Sequence, residues 1–182
     1  MTKHTAFLIF NFLGLQITWA ACAYGAIHEF PLLGSIVGSI YIIIHMILTP
    51  SRRIDLLTLL CLSSAGILLD FINMKLGIIS FNSTQQNFIP LWLVILWCVF
   101  SLMIPHSLNW LRRKPILACV LGGIGGSLSY WLGHKLGAIA LSDPITLAVS
   151  LYFIEWAIYV PLTFIILRGI KQTSFDSSVS EY

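Results

Sequence analysis

The sequence predicts an all-α polytopic membrane protein, a compact bundle of six transmembrane helices with both termini in the cytoplasm, and three observations predict it. First, 58% of the 182 residues are apolar, 9% are charged, and the mean hydropathy is +0.91. Soluble domains carry roughly 25% charged residues. This chain therefore has too few polar groups to cover a globule in water and too many apolar ones to stay disordered. Second, the apolar residues form six continuous runs, at 5–25, 32–49, 56–72, 89–108, 116–140 and 145–167. Each is near the ~20 residues with which a helix crosses ~30 Å of hydrocarbon. Their continuity argues against barrel strands, which alternate over about ten residues. Third, Lys and Arg are unevenly placed. Lys3, Arg52, Arg53, Arg112, Arg113, Lys114, Arg168 and Lys171 fall on one side, and only Lys75 and Lys135 on the other. By the positive-inside rule the richer side is cytoplasmic and holds both ends, which requires an even number of spans. The net charge of +3 reflects this sidedness, and no nucleic-acid partner is expected.

The first run follows Lys3 and ends near Cys22, a loose likeness to a cleaved leader, but Trp19 suits no such cleavage and the run reads as a retained helix. Asn11, Gly14, Thr18 and Cys22 share one of its faces. The second run lies between Pro31 and Pro50 and carries Gly34, Gly38, Tyr41 and His45 at helical spacing. The third is the shortest and bears Asp70 near its outer end, with Asn73 a turn on. The fourth opens at Pro90 and contains Pro105, which predicts a kink with the Ser101 carbonyl freed. The fifth carries a stripe of small residues, Gly122, Gly126, Ser129, Gly133 and Gly137, that admits a neighbouring backbone. The expected neighbour is the second helix, or the same helix of a homodimer. The sixth contains Glu155 and Pro161. Residues 1–171 thus form one transmembrane domain, and 172–182, rich in Ser, a flexible cytoplasmic tail. No room remains for an extramembrane domain.

Polar groups at membrane depth cost about 2.5–3.5 kcal/mol each on insertion scales and mark candidate sites. Asp70, Asn73, His134 and Glu155 form a candidate cluster in the outer half, able to bind a cation, relay protons or hold a polar head group. His45, His106 and Asn109 form a second candidate at the cytoplasmic edge. There the histidines read as interfacial, and no metal or cofactor is expected, because no His-Glu-x-x-His or paired-Cys spacing occurs. Cys22, Cys61, Cys98 and Cys119 lie in different spans and read as small core residues. A faint internal symmetry relates Gly34, Gly38, Tyr41 and His45 to Gly123, Ser127, Tyr130 and His134, and Asp70-Phe71 to Glu155-Trp156. It would make three helices followed by three inverted ones, a plan that transporters use.

Several phrases taken together resemble a known family: NFLGLQITWAACAYGA at 11–26, Pro50-Ser51-Arg52-Arg53, Asp70 with Gly77 and Phe81, Pro90-Leu91-Trp92 leading to His106-Ser107-Leu108 and Trp110-Leu111, and Gly125-Gly126, Leu128 and Tyr130 followed by Gly133 and Leu136-Gly137-Ala138. They resemble bacterial inner-membrane proteins grouped as a domain of unknown function (DUF2878), over nearly the whole chain to about residue 168. The resemblance implies a multi-pass protein of the bacterial inner membrane, with counterparts of Gln16, Trp19, Asp70, Trp92, His106 and Tyr130 but not of Glu155. It also implies an association with lipid-modifying enzymes. Three function classes stay open, and with them whether the protein is an enzyme. The leading one is a lipid-associated accessory protein or membrane-embedded enzyme acting on lipid, using His106, Asn109 and Trp110 beside the phospholipid bilayer. The second is a small proton- or cation-coupled transporter using Asp70, His134 and Glu155. The third is a non-catalytic scaffold.

Overall fold

The computed structural model describes residues 2–81 and 88–179, with side chains to 173. The flexible tail expected at 172–182 falls largely outside the residues whose side chains are described. The six apolar runs form six helices: α1 (Lys3–Ile27), α2 (Leu33–Leu48), α3 (Arg52–Lys75), α4 (Leu91–Met103), α5 (Pro115–Lys135) and α6 (Ile145–Val179). Two short strands, β1 (Ile79–Ser80) and β2 (Ala140–Leu141), and a 3-10 turn at Asn109–Arg113 complete the described elements. Helices α1, α3, α5 and residues 145–173 of α6 are long and apolar enough to cross a membrane. With 16 and 13 residues, α2 and α4 are shorter apolar helices, about 24 and 20 Å long. Outward-facing Ile17, Ile43, Leu60 and Ile165 are more than half exposed, which gives the bundle an apolar exterior.

Local chemistry sets the ends. Thr2 caps α1 by accepting from the Thr5 amide at 3.2 Å, and Pro115 opens α5, where its missing N–H costs nothing. Helix α4 stops at Met103, before Pro105, so the expected kink is a terminus instead. The chain then turns through His106 into the 3-10 segment.

Helices α3 and α5 end alike. Gly77 (φ 73°) and Gly137 (φ 79°) take the left-handed conformation. The amides of Ile78 and Ala138 reach back to the carbonyls of Asn73 and Gly133, at 2.9 Å in both cases. Each turn leads into a strand, and the two strands pair antiparallel with Ser80 opposite Ala140.

This identity of endings belongs to a longer repeat with an offset of 60. Arg52-Arg53 matches Arg112-Arg113, Gly66 matches Gly126, and Lys75-Leu76-Gly77 with Ile79 matches Lys135-Leu136-Gly137 with Ile139. Helices α3 and α5 run the same way and end in strands that pair, so with their strands they form parallel repeats. Ser80 and Ala140, equivalent at this offset, face one another across the strand pair. Trp97 of α4 and Trp156 of α6 stack at 5.1 Å and 12°. Each indole covers its own hairpin's glycine, Trp97 over Gly66 and Trp156 over Gly126. This relation differs from the inverted one suggested by the spacing of glycines and tyrosines alone.

The small-residue stripes are used separately. A Cβ at Gly122 would lie 2.7 Å from the Trp156 carbonyl, and one at Gly126 would overlap the Trp156 ring, so that stripe receives α6. Gly133 faces Ile139, and Gly137 serves the turn. Gly34 meets Cys22 of α1, and Gly38 meets Thr18 of α1 and Ile95 of α4. Helix α2 thus packs on α1 and α4, while α5 packs most extensively on α6.

Candidate functional site

The bundle has a basic end, where Arg52 and Arg112 lie, and a strand end, where β1 meets β2. At the basic end, helix directions bring the last turn of α2, the first turn of α3 and the turn after α4 together. His45 and Asp55 are fully buried, and the His106 side chain is 11% exposed. His45 Nε2 lies 3.1 Å from Asp55 Oδ2, and His106 Nε2 lies 3.0 Å from both Asp55 oxygens. Thr49 Oγ1 donates to Asp55 Oδ2 at 2.5 Å. The Phe7 ring covers both imidazoles, with centroids at 5.3 and 5.0 Å. The two histidines are therefore brought together as partners of one buried carboxylate, His45 fully buried and His106 partly exposed. Asn109 stands apart, its Oδ1 buried without a hydrogen-bond partner among the described residues.

A polar network continues inward from this cluster. Tyr41 Oη lies 3.3 Å from His45 Nδ1, and Asn11 Nδ2 donates at 3.0 Å to both Tyr41 Oη and the Leu102 carbonyl. Asn11 Oδ1 accepts from the Ser107 amide at 3.2 Å and from the Ser107 hydroxyl. Thus the α1 face of Asn11, Gly14, Thr18 and Cys22 is buried throughout.

The outer cluster is assembled in part. Asp70 is 1% exposed; it accepts from Trp97 Nε1 at 2.6 Å and from the Tyr130 hydroxyl at 2.7 Å. Asn73 Nδ2 donates to Glu155 Oε2 at 2.8 Å. A cavity of about 10 Å³ lies among Asp70, Tyr152 and Glu155, the size of one water molecule. Tyr152 stacks on Tyr130 at 3.7 Å. His134 is used elsewhere, accepting from the Leu141 amide at 3.2 Å and so pinning β2 to α5.

Above this cluster lies a larger cavity of about 460 Å³, inside the ~300–1,000 Å³ of ligand pockets. Its walls are Leu15 and Trp19 of α1, Leu96 and Phe100 of α4, and Leu121 and Gly125 of α5, with Trp97, Tyr130 and Trp156 among the lining. It extends from Ile79 and Ile139 at the strand end to Trp110 and Leu111 at the basic end. Leu121, Gly125 and Leu128 are exposed, so it opens on the flank of the bundle. A polar bond from Trp19 Nε1 to Ser129 Oγ at 2.8 Å bridges it from α1 to α5. His45, Asp55 and His106 are not in its lining.

Sequence reasoning missed two features here: Asp55, the hub of the basic-end cluster, and the aromatic wall between Asp70 and the cavity. Asp55 carried one signal, an acid in the first turn of α3 only ten residues after His45 at the end of α2.

Comparison with curated proteins gives no match, and comparison with solved structures gives none. The family described as Protein of unknown function (DUF2878) matches residues 8–162, and the chain, with its span-like helices, belongs to that family.

Proposed function

We propose that the protein is a lipid-binding protein of the bacterial inner membrane, with both termini in the cytoplasm, that holds the apolar chain of a lipid in the cavity between α1, α4 and α5. The cavity carries this reading. It is concave, nearly all its wall is aliphatic or aromatic, and it opens toward the flank from which a chain in the bilayer would enter. The 3-10 turn supports a polarity for the bound molecule. Trp110 and Leu111 line the cavity, and Arg112, Arg113 and Lys114 follow directly. A phosphate head group would meet those cations while its chain lies along α5. The protein would present or sequester that lipid for lipid-modifying enzymes.

Gly125 provides the test. Gly125 lines the cavity and a Cβ there meets nothing within 4 Å, so Gly125→Trp directs an indole into the cavity from a position with room at its root. Mass spectrometry of lipids that copurify in a mild detergent should show at least a ~10-fold loss in Gly125→Trp relative to the parent. Equal lipid in both proteins overturns the reading.

A second reading, a proton- or cation-coupled carrier, is favoured by one observation: Asp70, Tyr130 and the two stacked indoles sit at the interface of two parallel repeats, where transporters place their sites. Glu155→Gln would abolish proton-linked flux in proteoliposomes if this reading holds and leave it unchanged under the lipid reading.

A further inference from the structure

We propose that His45, Asp55 and His106 bind a divalent transition-metal ion of the Zn²⁺ type, with three protein ligands and an open fourth position. Imidazole nitrogen and carboxylate oxygen are the donors such ions take, and three protein ligands with one free position is the arrangement of reactive zinc centres. The three donor atoms lie within 4.8 Å of one another. The two nitrogen-to-oxygen separations, 3.1 and 3.0 Å, are near the ~3.3 Å edge of a tetrahedron with zinc–ligand bonds of about 2.0–2.1 Å.

Three details favour a shared ion over a knot of hydrogen bonds. His106 Nε2 is 3.0 Å from each carboxylate oxygen, so one N–H there would be split between two acceptors instead of aligned on one. The Asp55 charge is fully buried, and its ion-pair partners among the described residues are the two histidines alone. Arg52, three residues away, spends its guanidinium on the Met46 and Ile47 carbonyls at 2.9 and 3.3 Å. Burying a carboxylate is costly unless its charge is matched, and a dication bound between Asp55 and the imidazoles would match it.

The surroundings also suit a metal. With Nε2 as the ligand atom, His45 carries its proton on Nδ1 and donates it to Tyr41 Oη, which Asn11 holds in turn; a fixed far nitrogen is the usual support of a ligating histidine. Thr49 fixes the carboxylate. Phe7 closes the α1 side, and the partial exposure of His106 leaves an approach from the basic end. The site stands on this geometry and is independent of the lipid cavity.

The test uses the full chain in detergent micelles, purified through a tag without histidine and stripped with a chelator. Titration with Zn²⁺ against a chromophoric competitor should give one ion per chain. His106→Ala should bind at least ~100-fold more weakly, and His134→Ala, remote from the site, should bind like the parent. The parent's thermal midpoint should rise with Zn²⁺, and that of His106→Ala should not. Binding of less than one ion, or binding unchanged in His106→Ala, overturns the proposal and leaves a hydrogen-bonded cluster. If His106→Ala fails to fold, the Co²⁺ spectrum of the parent decides: intense four- or five-coordinate bands support the site, and the weak spectrum of the hydrated ion overturns it.

Discussion

Asn11 and Asp70 show how single polar side chains organise a bundle that has little hydrophobic drive to associate within lipid. Asn11 serves Tyr41, the Leu102 carbonyl and Ser107 at once. Asn11→Ala strands several buried groups and should lower stability by about 3 kcal/mol, measured by unfolding in detergent. Asp70 accepts from one indole and one phenol. Asp70→Leu should therefore destabilise by about 2–4 kcal/mol, whereas Asp70→Asn, which still offers an oxygen, should cost less than half of that. In the sequence Asn11 stood out as part of one face of the first helix, and Asp70 because its cost at membrane depth demands a partner. Asp55 did not, since an acid in the first turn of a helix beside two arginines reads as an ordinary helix-dipole residue. Its role depends on two helix ends that only the folded bundle brings near it. His134 failed in the opposite sense: its position near Asp70 along the bundle was legible, but its bond to the Leu141 amide depends on a strand pair too short to leave a pattern.

At the level of helices, continuous apolar runs located the six helices, four of which are long and apolar enough to cross a membrane, because the length a crossing helix needs is set by the bilayer and not by a partner. Which helices touch was not legible. A stripe of glycines declares close approach without naming the neighbour, and here the α5 stripe meets the Trp156 and Val160 side of α6. Gly126→Leu should force α5 and α6 apart and destabilise by about 3 kcal/mol or more, while Gly125→Leu one position earlier should be neutral within ~0.5 kcal/mol. The pair, compared by thermal unfolding, separates packing on α6 from general loss of a helical glycine. Pro105 was read as a kink because the apolar run continues past it; the backbone ends the helix instead, which frees His106 to turn toward Asp55.

For the molecule as a whole, sidedness rests on the distribution of Lys and Arg. Reporter fusions at either terminus should both report the cytoplasm, and a periplasmic carboxyl end would reverse the arrangement of both clusters. The repeat escaped the sequence reading because its shared residues are mostly at helix ends, whereas a search by glycine and tyrosine spacing looks at helix faces. Its two copies place Asp70 and Tyr130 at equivalent positions, hydrogen-bonded to one another at 2.7 Å. Had two separate, identical hairpins associated here, symmetry would have put the same side chain on both sides. Two aspartates would set acceptor against acceptor, and two phenols would lack a carboxyl acceptor. Joining both hairpins in one polypeptide releases that constraint and lets donor and acceptor evolve as unlike halves of a single pair.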